Sequence, residues 1–375
     1  MVSLDNEKLL IEIVRCALHG EICAVESLSD EIGVLAQKHR LFNLLYLGTG
    51  NERAKRKYKE FLTKSAAQQD YFEKLTAACE AAGVELLPLK GICTKFRFPR
   101  PELRSMDDID VLCKPEQKKQ LHAVFETIGY DRFIEGRKHD SYTLFPFVAV
   151  ETHRQLVDEN ERYIAYYQDI WQKVTLREGY HHIYEMSLED EYIFNIVHLA
   201  DHFQNGGAGI RFFTDIYVYE RLKKKDEYLE SELKKLKLFE FYQKAKELAF
   251  HWFGTDEERA CVGQTPILEQ MEVFVLTGGL YGDKQRLKDI NASAGKINAL
   301  GSAVFPPYHS MQSMFPWLKT PLLLPWAWLV RGIKMLKNRR ANIQRVWDNT
   351  TQGDKERGIS IKQFYANCGL QESGN

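Results

Sequence analysis

The chain has 375 residues, which at roughly 150 residues per domain predicts two or three structural units. Its composition, 44% hydrophobic and 27% charged, is ordinary for a globular protein and excludes a chain that is disordered throughout. Lys plus Arg number 51 and Asp plus Glu 52, so no overall field attracts nucleic acid to the molecule. A nucleic-acid partner would need a local basic patch.

Residues 5–80 are predicted to be helical, because apolar residues return every three or four positions. Ser29 is an expected helix start, since its side chain can accept a hydrogen bond from a first-turn amide. From residue 84 to 156 short β-rich runs alternate with helical ones, and only this part is predicted to form a sheet. The expected strands are 84–89, 109–113, 130–134, 141–145 and 148–156, with a helix that begins at Pro115.

Helical periodicity returns after residue 188, and the expected helices are 188–204, 211–224, 227–250 and 266–276. We therefore predict an α+β protein in which a small mixed sheet lies between helical regions. The expected division is an N-terminal helical region at 1–80, a sheet core at 81–157, a helical substrate-side domain at 158–300 and a C-terminal apolar and basic segment at 301–375.

Seven cysteines are scattered along the chain without a C-x-x-C pair. This pattern argues against a disulfide framework or a zinc ribbon and favours a reducing compartment. The N-terminus carries acids among its apolar residues, unlike a signal peptide, and the apolar run 321–330 is too short to cross a bilayer. We expect a cytoplasmic protein.

The most informative segment is LRSMDDIDVLC, at residues 103–113. Side chains two apart on a strand share one face, so Asp108 and Asp110 would project together. The same rule brings Glu151 and His153 to one face of the strand VAVETHRQL. Neighbouring carboxylates repel each other unless a cation lies between them, and three such oxygen ligands suit Mg²⁺ or Mn²⁺.

The alternative is that the acid pair is a solvated strand start and that Glu151 is simply exposed. The basic segment KGICTKFRFPRPELR, at 90–104, favours a site, because a metal bound to a polyphosphate needs both signs of charge close together. Lys90 and Arg104 are the candidates for phosphate charge, and Gly91 lies at the expected turn from strand to loop.

These residues resemble the signature of the uncharacterised nucleotidyltransferase family, within the DNA polymerase β-like superfamily. The superfamily pattern is a glycine turn, an acid pair on a strand and a third acid on a neighbouring strand. Here Gly91 is followed by Ile92 instead of the usual serine or glycine, so Lys90 or the basic loop would replace a serine hydroxyl. The similar motifs are LPLKG (87–91), RSMDDIDVL (104–112), VETH (150–153), HLADH (198–202), GAGIRFFTD (207–215), GGLYG (278–282) and FPWLKTPLLLPWAWLVRG (315–332).

The resemblance implies a polymerase β-like core and a metal-dependent transfer of a nucleoside monophosphate from an NTP, such as ATP, with release of pyrophosphate. Asp108 and Asp110 would hold Mg²⁺ or Mn²⁺ against the triphosphate. Glu151 would complete a second metal site or accept the proton of the nucleophile, and His153 is a secondary candidate. The sequence does not identify the acceptor, which is a small molecule or a protein.

Two other functions stay open. One is a catalytically silent nucleotide-binding or regulatory module of the antitoxin type, although a binding module has no need for three converging carboxylates. The other is a metal-dependent phosphohydrolase, which would use water as the acceptor.

His198 and His202 lie four residues apart and share a face of their predicted helix. The intervening LAD excludes the zinc motif H-E-x-x-H, and both a structural role and a place in the wall of the site stay open. Arg211 and Asp215 have the same spacing and could form an ion pair within a helix. The favoured interpretation is that Arg211 points toward substrate or phosphate, because its glycine loop lets an anion approach.

The segment 321–345 joins an apolar run to six basic residues and contains no acid. One interpretation is an interfacial helix that is attracted to anionic lipid. The favoured one is a helix docked on the protein with a solvated basic end, so peripheral membrane contact is not expected.

Overall fold

The structure is a computed structural model that describes residues 4–25, 27–136, 139–157, 160–280, 282–293, 305, 308, 311, 315, 317–337 and 353–370. Ser29 caps the second helix, where its hydroxyl accepts a hydrogen bond from the amide of Ile32, as predicted. The N-terminal helices are α1 (Leu4–His19), α2 (Asp30–Lys38), α3 (Phe42–Thr49) and α4 (Glu52–Ala82).

A five-stranded mixed sheet follows α4. Its order is β1-β2-β5-β4-β3, in which β2 and β5 are parallel and the other neighbours are antiparallel. The register sets Asp110 opposite Glu151, so the two strands that carry the predicted acids are direct neighbours. The elements are β1 (Leu86–Leu89), α5 (Gly91–Thr94), β2 (Ile109–Cys113), α6 (Lys118–Ile128), β3 (Arg132–Ile134), β4 (His139–Leu144) and β5 (Val148–His153).

The strand β2 is buried on both faces. Ile109 and Val111 belong to a hydrophobic cluster that the sheet forms with α4 and α6. Leu112 belongs to the large cluster on the other side of the sheet. Because side chains alternate along a strand, Asp110 shares the face of Leu112 and opens toward the helices that cover this side.

The described residues after 160 are mainly helical, and two predictions need correction. Strands are not confined to 84–156, because two short strands at 175–176 and 184–185 pair with each other and Ile183 bridges to Leu86 of β1. The helix predicted at 227–250 is two helices, because the chain turns at Lys237 (φ 54°). The elements are α7 (Glu161–Tyr167), α8 (Ile170–Lys173), β6 (Thr175–Leu176), β7 (Tyr184–Glu185), α9 (Leu188–Gln204), α10 (Ile210–Leu222), α11 (Asp226–Lys235), α12 (Phe239–Phe253), α13 (Asp256–Cys261), α14 (Pro266–Gly278), α15 (Lys284–Ser293), α16 (Leu324–Lys337) and α17 (Lys355–Asn367).

One hydrophobic cluster joins the N-terminal helices to α9, α10, α12 and α14. The predicted α+β class with flanking helices is confirmed, while the four-part division of the chain stays a prediction. Among the described residues, no helix combines the length and apolar character needed to cross a membrane. Arg339, Arg340 and Arg345 lie outside the described residues.

Candidate active site

A cavity of about 240 Å³ lies between the acid-bearing face of the sheet and helices α9 and α10. His153 does not line it, but its Nε2 lies 2.7 Å from Oδ1 of Asp110, which does. The structure therefore brings all the predicted site residues together. Those in the cavity wall are Lys90, Gly91, Arg104, Asp108, Asp110, Glu151, His198, His202, Arg211 and Asp215.

Asp110 is the central carboxylate of the cavity and is only 5% exposed. Its Oδ1 accepts hydrogen bonds from Lys90 Nζ at 2.8 Å and from His153 Nε2 at 2.7 Å. Burial alone would raise the pKa of Asp110, but Lys90 and His153 outweigh burial and hold it far below its usual range. Asp110 is therefore ionised at neutral pH.

Lys90 is held at a sharp turn between β1 and α5. Its backbone (φ 53°, ψ −129°) lies in a region that residues with a side chain rarely adopt. A Cβ added to Gly91 would lie 2.8 Å from Cβ of Met106, so only glycine lets the turn pack against the segment before β2. Burial would lower the pKa of Lys90, but the carboxylates of the cavity, Asp110 foremost, raise it. Lys90 is thus a fixed cation.

Asp108 immediately precedes β2 and faces the same cavity. Burial, followed by the nearby charges of Asp110 and Glu151, raises the pKa of Asp108 to about 7. Within the described part of the chain, no hydrogen bond reaches its carboxylate. A divalent cation would supply the missing positive charge, so the residues present fit a hard metal ion.

Two histidines extend this carboxylate set. His139 on β4 is the cross-strand partner of His153, and its Nε2 lies 3.2 Å from Oε1 of Glu151. The hydrogen bond to Glu151 raises the pKa of His139 against the opposing effect of burial. One potential ligand atom from each of His139, Glu151 and His153 lies within 4.8 Å of the others, a set that could hold a metal ion.

His139 is not among the predicted site residues, because β4 begins at His139, two positions before the predicted strand 141–145. His139 is identified by the pairing of β4 with β5, because their antiparallel register places it opposite His153.

Arg104 and Asp215 form a buried ion pair in the cavity wall. Nε of Arg104 lies 2.6 Å from Oδ1 of Asp215, and Nη2 lies 2.8 Å from Oδ2. The two parallel bonds fix both side chains, of which 6% and 5% are exposed. Asp215 is therefore engaged by Arg104, not by the helical neighbour Arg211, and Arg104 enters the site as a paired cation.

Arg211 is a largely enclosed cation whose positive charge is only partly compensated. It follows the loop Gly206–Gly209 at the start of α10, and its side chain is 14% exposed. Its Nη1 lies 3.3 Å from the carbonyl oxygen of Ser105 and 3.9 Å from Oδ2 of Asp107, while Nε has no hydrogen-bond partner among the described residues. Burial, and next the charge of Arg104, lower its pKa to about 10. A phosphate would satisfy this guanidinium.

His198 and His202 share one face of α9, and their Nε2 atoms lie 3.0 Å apart. Burial first, and then the charge of Lys90, lower the pKa of both, that of His202 to about 4. Both rings are therefore neutral at pH 7, and one donates its N–H to the other. They line the cavity with Asn195, a residue that the sequence analysis also missed.

A small mixed sheet with acids on two parallel neighbouring strands is the arrangement that the resemblance implies. A family model described as "Uncharacterised nucleotidyltransferase" matches residues 30–254, more than half of the chain. The chain belongs to this family, and the resemblance is confirmed. No curated protein matches the chain, and no solved structure does. The matched range begins at α2, ends at α12 and includes every predicted site residue.

Proposed function

We propose that the protein is a metal-dependent nucleotidyltransferase, which moves a nucleoside monophosphate from an NTP to an acceptor and releases pyrophosphate. Family membership supports nucleotidyl transfer as the general reaction, and the cation, the nucleotide and the acceptor belong to the proposal. The observation that carries it is the convergence of Asp108, Asp110 and Glu151 on a cavity that also contains Lys90 and Arg211.

Asp108 and Asp110 would hold Mg²⁺ or Mn²⁺, since both carboxylates line the cavity and the pKa of Asp108 is raised in the absence of a cation. Glu151 would contribute to a second position, to which His139 and His153 add nitrogen ligands. When bound, such cations offset the charge that develops on phosphate oxygens and favour ionisation of an attacking hydroxyl.

Lys90 and Arg211 would hold the triphosphate, because both are largely enclosed cations in the cavity wall. Lys90 now pairs with Asp110, and a cation bound to Asp110 would leave the ammonium group available to a phosphate oxygen. Arg211 already has an N–H without a partner among the described residues.

In the transfer, an oxygen or other nucleophile of the acceptor forms a bond to the α-phosphorus. The bond from the α-phosphorus to the bridging oxygen breaks, and its electron pair leaves with pyrophosphate. Glu151 would accept the nucleophile's proton, because its side chain is 26% exposed whereas that of Asp110 is 7% exposed. His198, His202 and Asn195 would position substrate hydroxyls or the base without adding charge.

The test is to incubate the full chain with Mg²⁺ or Mn²⁺, each α-labelled NTP and a fractionated cell extract, and to measure transferred label and pyrophosphate together. Asp110→Asn removes the central carboxylate. Asp70→Asn is the matched control, because Asp70 is 66% exposed on α4 and pairs only with Lys74 among the described residues. We expect transfer by the wild type and the control, and a loss of at least about 100-fold in Asp110→Asn.

The outcomes separate the three functions. Label attached to an acceptor, with equimolar pyrophosphate, supports the proposal. Free nucleoside monophosphate without a labelled acceptor identifies a phosphohydrolase. NTP binding by calorimetry without turnover of any nucleotide identifies a regulatory module and overturns the enzyme proposal.

A further inference from the structure

The helix α16 presents an apolar face to solvent. Trp326 is 60% exposed, Leu329 53% and Ile333 54%, and the spacing of three and four residues places them on one side of the helix. Leu322, in the 3-10 turn just before α16, is 90% exposed. Single exposed apolar residues are common on protein surfaces, but an aligned row marks an interaction surface.

The other side of α16 packs on the segment that precedes it in the chain. Ala327 is fully buried, and Leu324 and Trp328 pack against a small hydrophobic cluster that contains Phe315 and Leu318. The opposite face, with Trp326, Leu329 and Ile333, is left largely exposed by the residues that the structure describes.

The sequence around this face carries only positive charge. Residues 290–347 contain no Asp or Glu, although the whole chain has 52 of them. Lys319 is exposed just before the apolar turn, and Lys334 and Lys337 occupy the last turn of α16. Four of the six tryptophans of the chain lie between residues 317 and 347. Tryptophan, leucine and lysine in this combination are typical of helices that lie in a membrane interface.

We propose that the Leu322–Ile333 face docks on an anionic lipid surface. Such a surface supplies acyl chains for the apolar row and negative headgroups for the lysines. A second copy of the chain would instead bring two sets of positive charges together, which opposes association. With 14 residues, α16 is shorter than the roughly 20 needed to span a bilayer, so it would lie along the surface. The proposal does not depend on nucleotidyl transfer.

The experiment is flotation of the full chain with vesicles of phosphatidylcholine alone and of phosphatidylcholine with about one third phosphatidylglycerol. We expect flotation with the anionic vesicles only, and a decrease as salt rises from about 0.1 M to about 0.5 M. Leu329→Ser should weaken the partition about tenfold. Val273→Ser is the matched control, since Val273 is 54% exposed on a different helix, α14, and should leave binding unchanged.

The charge is tested separately with Lys319→Gln, for which we expect about fivefold weaker binding to anionic vesicles. All three variants alter exposed residues, and circular dichroism verifies their fold. Equal flotation with both vesicle types, or equal weakening by Leu329→Ser and Val273→Ser, would overturn the proposal. Wild-type dimers that Leu329→Ser dissociates, without any flotation, would also overturn it and identify a self-association surface.

Discussion

Lys90 Nζ and Asp110 Oδ1 lie 2.8 Å apart and join the turn after β1 to the centre of β2. Both side chains are largely enclosed, with 20% of Lys90 and 7% of Asp110 exposed. An ammonium group therefore compensates the central carboxylate before any cation or nucleotide binds. The pair connects the stability of the fold with the chemistry proposed for the cavity.

We predict that Lys90→Met lowers the free energy of unfolding by about 3 kcal/mol at pH 7, because it leaves a buried charge without its main partner. The pKa of Asp110 is depressed in the folded protein, so the stabilisation is present above the ordinary carboxyl pKa and disappears as pH falls through the folded value. The difference in unfolding free energy between the wild type and Lys90→Met should therefore shrink in acid. Urea unfolding at pH 7 and at about pH 2, which is below the ordinary carboxyl pKa, measures it, with the exposed Lys74→Met as a control expected to change stability by less than about 0.5 kcal/mol.

The raised pKa of Asp108 predicts a pH dependence of stability that is opposite in sign to that of the Lys90–Asp110 pair. Its pKa is raised to about 7, above the unfolded value, so the folded protein keeps a proton that the unfolded chain releases between about pH 4 and pH 7. Without metal, its contribution therefore makes the protein less stable as pH rises through this window. Asp108→Asn should remove this slope and raise stability at pH 8 by about 2 kcal/mol.

The same group should couple metal binding to proton release. Below pH 7 the cation must displace a proton from Asp108, so the affinity for Mn²⁺ should fall by up to about tenfold per pH unit. Calorimetry in buffers of different ionisation enthalpy counts the released protons. An affinity that is flat from pH 6 to pH 8 would contradict the raised pKa.

Substitutions of Arg104 and Arg211 should affect different properties, the stability of the fold for Arg104 and the binding of NTP for Arg211. Arg104→Gln leaves Asp215 buried without its ion pair, and we expect a loss of about 3 kcal/mol in unfolding free energy. Arg211→Gln removes a guanidinium whose compensation is incomplete, so the fold should be retained while the Kd for NTP rises about tenfold or more. Chemical denaturation and nucleotide titration of both variants provide the comparison. Equal effects of the two variants on NTP binding would contradict the distinction.

The strands and the acids were predictable because alternation fixes the face of each side chain. Asp108, Asp110 and Glu151 follow from period-two spacing on two short β-rich runs, and their placement in one cavity agrees with it. His139 was not predictable in this way, because its role depends on the register between β4 and β5. The Arg104–Asp215 pair joins residues 111 positions apart, and no local pattern predicts such a contact.

The same limit applies to α16. Its apolar row and its basic residues are visible in the sequence, but which side of the helix is buried is decided by the cluster around Phe315 and Leu318.

The break between α11 and α12 is likewise not predictable from the sequence, because no glycine or proline marks it. Lys237 takes up the left-handed conformation there, and Leu236 and Leu238 on either side are buried.

We predict that the histidines around Glu151 set the preference among divalent cations. Imidazole nitrogen binds Mn²⁺ or Co²⁺ better than Mg²⁺, so His139→Ala should weaken Mn²⁺ and Co²⁺ binding about tenfold and change Mg²⁺ binding little. The visible absorption of bound Co²⁺ reports ligation without reference to catalysis. His122→Ala is a suitable control, because His122 contacts Tyr142 away from the cavity. An unchanged Co²⁺ spectrum in His139→Ala would contradict nitrogen ligation.

The turn that carries Lys90 should tolerate no side chain at the next position. In Gly91→Ala the new Cβ would meet Cβ of Met106 at 2.8 Å, closer than real Cβ contacts allow, so the turn or the segment before β2 must shift. We expect a loss of about 2 kcal/mol in unfolding free energy and a weaker pairing of Lys90 with Asp110. Replacing Met106 with glycine in the same chain removes the clashing atoms and should recover part of the activity that Gly91→Ala loses. Gly33→Ala is the control, since nothing lies within 4 Å of a Cβ at that position. Recovery in the double variant, measured against Met106→Gly alone, would tie the activity to the position of this turn, whereas additive losses would show that the two residues act independently.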